Sequence, residues 1–284
     1  MPELPEVEVI RSQIESYLPL TVISESRSPL ISSLTRKSPQ NPHAQVTGAF
    51  LVAIRRHGKV LLFDFKSRLE DSQITYTVIS QLGMSGGWRV STNSLNDPHV
   101  HLQWQMKNLK DLNPLYLSYK DPRRFGSLGF LTFQEAELKI RSLGVDVSSE
   151  HFNLEYLQSI FKKHPEKAIK PFLLDQKYFA GIGNYMANEI CARACIRPTR
   201  KIKKIKKEEL LKILKASKTV LDLSQKSGGL TFSGGYADVY GDKGQGLTHL
   251  VVFHQKICQM CKKTPVKKSH LGNRGTFYCP SCQK

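Results

Sequence analysis

At 284 residues, with 40% hydrophobic and 23% charged positions, the chain is long enough for about two domains with cores of their own. No run approaches the ~20 apolar residues of a membrane-spanning helix, and the N-terminus lacks a basic-then-apolar signal pattern, so a soluble, intracellular protein is expected. The charge is lopsided, with 17 Lys and Arg against 15 Asp and Glu in residues 1–150 but 25 against 9 in residues 151–284, which points to a polyanion partner, nucleic acid first.

The chain opens Met1-Pro2-Glu3-Leu4-Pro5-Glu6. With Met1 removed, as is expected ahead of an imino residue, the Pro2 ring nitrogen is a free secondary amine. Such an α-amino group titrates at roughly 7.7 to 8.0, so an appreciable fraction is unprotonated near neutral pH and able to attack an aldehyde-like carbon. Glu3 stands beside it as a proton donor and acceptor. Pro5 suits a first helical turn, and Val7, Ile10, Ile14 and Leu18 recur at spacings of three and four until Pro19 ends the helix. Glu6 and Glu8 fall where a helix dipole favours acidic residues.

Residues 20–45 are rich in Ser, Pro and Arg and give little periodic signal. Strands are expected over 50–54 and 60–65, flanking a turn at His57-Gly58 with Lys59 starting the second, then over 74–82, 100–106, 115–119 and 128–133. Many short strands separated by turns argue a sandwich or barrel. Two loops between them have unusual content, Gln81-Leu82-Gly83-Met84-Ser85-Gly86-Gly87 and Asp121-Pro122-Arg123-Arg124-Phe125-Gly126.

A short helix over 134–143 closes the β half, and helices are expected over 154–163, 168–176, 184–196 and 208–223. The middle two are joined by a turn ending Gly181-Ile182-Gly183, with Asn184 as a candidate cap, a pattern like a nucleic-acid-docking helix pair. The glycine-rich stretch from Gly228 to Gly246 suits a loop that closes on a ligand. Cys258-x-x-Cys261 and Cys279-x-x-Cys282, seventeen residues apart, fit a four-cysteine zinc ribbon, structural because no coordination position stays open. Asn273-Arg274-Gly275-Thr276 is expected at the tip of a hairpin between the knuckles, where Arg274 could clamp a phosphate.

Taken in order, Pro2-Glu3-Leu4-Pro5-Glu6-Val7-Glu8, Lys59, Leu82-Gly83-Met84-Ser85-Gly86, Asp121 to Gly126, Gly181-Ile182-Gly183-Asn184 and Arg274-Gly275-Thr276-Phe277-Tyr278-Cys279 resemble the Fpg/Nei family of DNA glycosylases, over essentially the whole chain. The resemblance implies an α+β multidomain protein. Residues 1–145 would form an N-terminal catalytic β-sandwich with its N-terminal helix, 146–248 a helical domain with a helix-two-turn-helix and a lesion-covering loop, and 249–284 a zinc finger holding one structural Zn²⁺ on Cys258, Cys261, Cys279 and Cys282. It implies removal of an oxidised purine, 8-oxoguanine or a formamidopyrimidine, from damaged double-stranded DNA bound between the domains, with strand cleavage by β,δ-elimination. Pro2 matches the nucleophile and Glu3 the acid that assists sugar-ring opening. Lys59, Asn184 and Arg274 match phosphate-binding positions, Met84, Arg123 and Phe125 the side chains that fill the gap left by the extruded base, and Lys170 lies in an Ile-Lys-Pro segment like the family's. A monomer is expected, in the bacterial cytoplasm with the nucleoid.

The sequence departs from the family's pattern at Gln81, where His commonly stands, at Tyr185-Met186, and over 231–248. These bear on substrate preference, so the same chemistry on oxidised pyrimidines is the alternative. A protein that binds damaged DNA without cleaving it is a further reading, weighed against by the intact Pro2-Glu3 pair. An RNA-binding zinc ribbon is disfavoured by the lack of an aromatic stacking motif.

Overall fold

The computed structural model describes residues 2–35, 46–108, 113–232 and 235–284; the expected removal of Met1 and part of the 231–248 loop lie outside them. Contacts divide the chain into two units, Met1–Arg141 with Gly228–Gln245, and Ser142–Ser227 with Gly246–Lys284.

The first unit runs α1 (Leu4–Glu15), β1 (Leu20–Arg27), α2 (Ser32–Thr35), β2 (Phe50–His57), β3 (Val60–Lys66), β4 (Tyr76–Gln81), β5 (Gly87–Ser91), β6 (Val100–Asn108), β7 (Pro114–Lys120), β8 (Ser127–Thr132) and α3 (Phe133–Arg141). Its strands form one sheet in the order β5-β7-β6-β1-β2-β3-β4-β8. In a flat sheet β3 and β5 would lie about 24 Å apart, five strand spacings. Yet the rings of Phe63 on β3 and Trp88 on β5 are 4.6 Å apart, and Trp88 stacks on Trp104 of β6 at 5.2 Å. The sheet therefore folds back on itself as a sandwich. It turns at the β1–β2 junction, where only Leu20 with Leu51 and Thr21 with Phe50 pair. Phe63, Phe65, Trp88, Trp104 and Tyr119 fill the interior, each wholly buried. Val7, Ile10 and Ile14 give α1 the apolar face expected from their spacing, joined by Leu4, while α1 ends at Glu15, before Leu18.

The second unit runs β9 (Val145–Asp146), α4 (Leu154–Lys163), α5 (Ile169–Leu173), β10 (Phe179–Ala180), α6 (Asn184–Arg193), α7 (Lys207–Lys226), β11 (Lys267–Leu271) and β12 (Arg274–Tyr278). Its aromatic core joins Phe161, Phe172 and Phe179 at ring separations of 5.7 and 5.1 Å.

Some expectations change. Strands β1 and β5 fall where no strand was expected, because Ser, Glu and Gly dilute their alternation. Helix α5 stops at Leu173, short of 176, and the Gln176 side chain instead organises the turn, accepting from Gly181 N at 3.0 Å and donating to Ile182 O at 2.7 Å. Residues Gly228–Gln245, expected with the helical domain, belong to the first unit, where Val239 O accepts from Val90 N and Leu230 N donates to Glu6.

Candidate active site and nucleic-acid interface

The N-terminus is built into the first unit as a rigid helix start. Pro2 and Glu3 are buried, and Glu3 is the N-cap of α1, its extended backbone turning the chain into Leu4. Glu6 closes a capping box: its Oε2 accepts from Glu3 N at 2.7 Å, while its Oε1 accepts from Leu230 N at 2.8 Å. Glu8 pairs with Arg11 and Arg56 rather than serving the dipole alone. Arg56 also donates to Gly58 O at 3.0 Å, which ties α1 to the two-residue turn, Gly58-Lys59, between β2 and β3. One guanidinium thus fixes the hairpin that carries Lys59 against the helix that carries Pro2 and Glu3.

The two unusual loops are locked to each other. Buried Asp121 accepts from the Ser85 hydroxyl at 2.6 Å and from Gly126 N at 2.8 Å, one oxygen for each loop. A Cβ on Gly126 would stand 1.9 Å from the Tyr119 hydroxyl and one on Gly83 would stand 2.5 Å from the Phe125 carbonyl carbon, so close packing of the loops demands glycine at both. Burial beside Asp121 pushes the Tyr119 hydroxyl well up from its ordinary value. What the locked loops present outward is apolar and cationic: Met84 is 36% and Phe125 50% exposed, and the Arg123 guanidinium lies 4.5 Å over the Phe125 ring. Large apolar side chains held in solvent by a rigid base suit insertion into a base stack.

In the second unit α6 begins at Asn184, with Gly183 as its N-cap; Asn184, expected as the cap, is the first helical residue and its side chain serves another purpose. Its Nδ2 donates to Gly275 O at 3.1 Å, and its Oδ1 accepts from Lys170 Nζ at 2.9 Å. Lys170 is wholly buried and also reaches Gly275 O at 3.3 Å. This places the Lys170 ammonium against the Asn184 side chain from the inside of the fold. Asn188, also buried, accepts from Phe277 N at 2.7 Å. These side chains fasten the N-terminal turn of α6 to β12, whose first residue is the exposed Arg274. The hairpin tip itself is Gly272-Asn273, at φ of 56° and 59°, one step before Arg274.

The four cysteine sulfurs lie within 4.8 Å of one another, with Cys258 to Cys282 at 4.0 Å and Cys261 to Cys279 at 3.9 Å. Tetrahedral Zn–S bonds of about 2.3 Å imply sulfur separations of about 3.8 Å. The cluster fits a closed structural metal site.

Against known proteins, the family model of the formamidopyrimidine-DNA glycosylase N-terminal domain matches residues 1–128, and that of the formamidopyrimidine-DNA glycosylase H2TH domain matches residues 143–233. A formamidopyrimidine-DNA glycosylase of Listeria monocytogenes is 32% identical over 289 residues, all of both chains. The chain belongs to the formamidopyrimidine-DNA glycosylase family. Among solved structures, the MutM (Fpg) protein of Thermus thermophilus matches at 28% identity and a TM-score of 0.82, over 99% of this chain and 98% of that one. Lactococcus lactis Fpg, in complex with an abasic site containing DNA, matches the fold at 24% identity and a TM-score of 0.84, over all of both chains.

As a member of the formamidopyrimidine-DNA glycosylase family the chain is a DNA repair glycosylase, and no helix among its described residues is long and apolar enough to cross a membrane. Sequence reasoning missed three carboxylates that hold its functional segments. Glu6 looked like a dipole complement, Asp121 like part of a turn, and Glu189 drew no reading at all. Glu189 is 1% exposed and accepts from Val251 N, Val252 N and Phe253 N at 2.7 to 2.9 Å. Burial pushes its carboxyl up, while those amides and Arg193 pull it back. The available signal was two adjacent polar residues, Asn188 and Glu189, in the middle of a mostly apolar helix.

Proposed function

We propose that the chain is a bifunctional DNA glycosylase and AP lyase that excises oxidised purines, 8-oxoguanine and formamidopyrimidines, from duplex DNA. The observation that carries this reading is the Pro2-Glu3 pair, buried at the start of α1 and tied through the Glu3 amide to Glu6. A nucleophile pays its ordering entropy in folding rather than in the reaction when it is held this way.

In the proposed sequence the Pro2 secondary amine attacks C1′ of the extruded nucleotide and the damaged base departs with the glycosidic electron pair and a proton. Glu3 protonates the ring oxygen as the sugar opens, leaving an iminium between Pro2 and C1′. Loss of the C2′ proton expels the 3′ phosphate, a second elimination expels the 5′ phosphate, and water then frees Pro2. Lys59, Asn184 and Arg274 hold phosphates around the lesion, and Met84, Arg123 and Phe125 fill the vacated stack. Extrusion costs a few kcal/mol of unstacking, which such wedges partly offset. One structural zinc on Cys258, Cys261, Cys279 and Cys282 would fix the hairpin that presents Arg274.

The same reading takes the protein as a monomer acting in the bacterial cytoplasm on nucleoid DNA, with functional domains that follow the expected 1–145, 146–248 and 249–284 except that residues 228–245 go with the first. Duplexes carrying a single 8-oxoguanine, a formamidopyrimidine or an oxidised pyrimidine test it. Fastest release from the purine duplexes, leaving phosphate on both ends of the gap, is expected. Base release from an unbroken strand, or binding without release, would refute it, and preference for the pyrimidine lesion would correct its substrate.

A further inference from the structure

Near the start of β6 the register with β7 shifts between Val100, opposite Lys120, and Leu102, opposite Tyr119, which leaves His101 as the extra residue of a bulge. A bulge re-aims the side chain it inserts. The His101 imidazole, 2% exposed, is turned toward the head of the 121–126 loop, where its Nε2 lies 3.0 Å from Asp121 O. A carbonyl oxygen can only accept, so Nε2 carries the proton and donates. On the other side Nδ1 faces Ser28 Oγ at 3.4 Å, and Ser28 N donates to His101 O at 3.0 Å. The ring is thus held between the end of β1 and the start of the loop.

The oxygen that receives His101 is also the hinge pin of the loop. Asp121 O accepts from Arg124 N at 3.2 Å, closing a turn over 121–124, and Arg124 sits at φ 54°, in the left-handed region that a residue with a Cβ rarely adopts. Such a conformation persists where the surroundings hold it in place. Arg124 stands between Arg123 and Phe125, so the turn that strains it also sets the direction in which those two side chains leave the loop. The Asp121 carboxylate fixes the flanks, on Ser85 and Gly126, while its carbonyl grips the turn between them. We propose that His101 is a positioning residue for extrusion of the damaged base, fixing through the Asp121 carbonyl the turn that projects Arg123 and Phe125. The proposal rests on the reading of those two side chains as fillers of the vacated stack.

His101→Leu removes the donor, and His101→Gln keeps an N–H at the end of the side chain. Single-turnover rates are measured on an 8-oxoguanine duplex and on a preformed abasic site, where no stacked base needs removing. The ratio of excision to abasic-site cleavage is expected to fall about fivefold in His101→Leu, the effect of one net hydrogen bond. In His101→Gln it should stay within about twofold of the wild type, as it should when His101→Leu is added to a chain already carrying Arg123→Ala and Phe125→Ala, compared with that parent. An unchanged ratio in His101→Leu overturns the proposal, as does a full further loss in the doubly truncated chain or an equal loss on both substrates. A measurement on the wild type needs no variant to be active: two-bond ¹H–¹⁵N spectra of histidine-labelled protein, with the His101 signals identified by their loss in His101→Gln. They should show the proton on Nε2, and a proton on Nδ1 alone overturns the proposal. Phe125→Ala by itself reads the assignment beneath. If its ratio is unchanged, the gap-filling reading and this proposal fall together; if it drops while that of His101→Leu does not, only this proposal falls.

Discussion

Buried carboxylates do the positioning in both units, and each accepts more than one backbone or side-chain donor. Glu189 is the extreme case, with three amides of the 251–253 segment on its two oxygens. In Glu189→Gln the new amide nitrogen faces a backbone N–H, so that variant should lose about 1–3 kcal/mol at pH 7 by urea unfolding. The wild type should also show a pH dependence the variant lacks. Because the folded carboxyl titrates above its ordinary 4.5, the unfolded chain ionises first as pH rises, so stability falls from pH 4.5 to the folded value and is level beyond it. A variant with the same slope over that window would assign the dependence to another group. The chemistry proposed for Pro2 and Glu3 could be read from the sequence because it needs only an imino terminus and an adjacent acid. The second duty of Glu6 was not: its partner, Leu230 N, is 224 residues away, and no local spacing encodes that meeting.

At the scale of elements, what periodicity encodes was legible and what tertiary pairing imposes was not. Helix α4 falls over 154–163 as its spacing predicts, and the loops at 81–87 and 121–126 were visible as unusual turns. Strand β1 was invisible, since Leu-Thr-Val-Ile-Ser-Glu-Ser-Arg owes its conformation to pairing with β6 along most of its length. The Gly83 and Gly126 contacts show why the loops carry glycine, a reason that appears only when both are in place. The geometry makes Phe125 a projection and not a core residue, so Phe125→Ala should leave thermal stability within about 0.5 kcal/mol, as for other exposed sites. Excision of a paired lesion should slow more than cleavage of a preformed abasic site, where no stacked base needs removing. Equal losses on the two substrates would place Phe125 elsewhere in the mechanism.

For the whole molecule, the excess of positive charge in residues 151–284 was readable from composition, whereas the fastening of Asn184 to Gly275 joins residues 91 apart in the chain, beyond any local pattern. Phosphate contacts make affinity salt-dependent, with a log–log slope of about −0.9 per phosphate neutralised. Arg274→Ala should therefore weaken binding to lesion and undamaged duplexes alike and make the slope shallower by about 1, measured by fluorescence anisotropy across a salt series. A slope unchanged in that variant would remove Arg274 from the phosphate contacts. The central claim is that the Pro2 amine is the nucleophile, and it separates binding from chemistry. With any residue retained ahead of Pro2, the nitrogen becomes an amide whose lone pair is delocalised into the carbonyl. The most direct measurement is borohydride trapping on abasic duplex by a variant carrying an uncleavable residue before Pro2, with the adduct of the unblocked enzyme mapped by mass spectrometry. The account predicts a Pro2-linked adduct in the unblocked enzyme, and salt-dependent binding with no adduct in the blocked one. Efficient trapping by the blocked variant would contradict it and pass the role to another amine, Lys59 first.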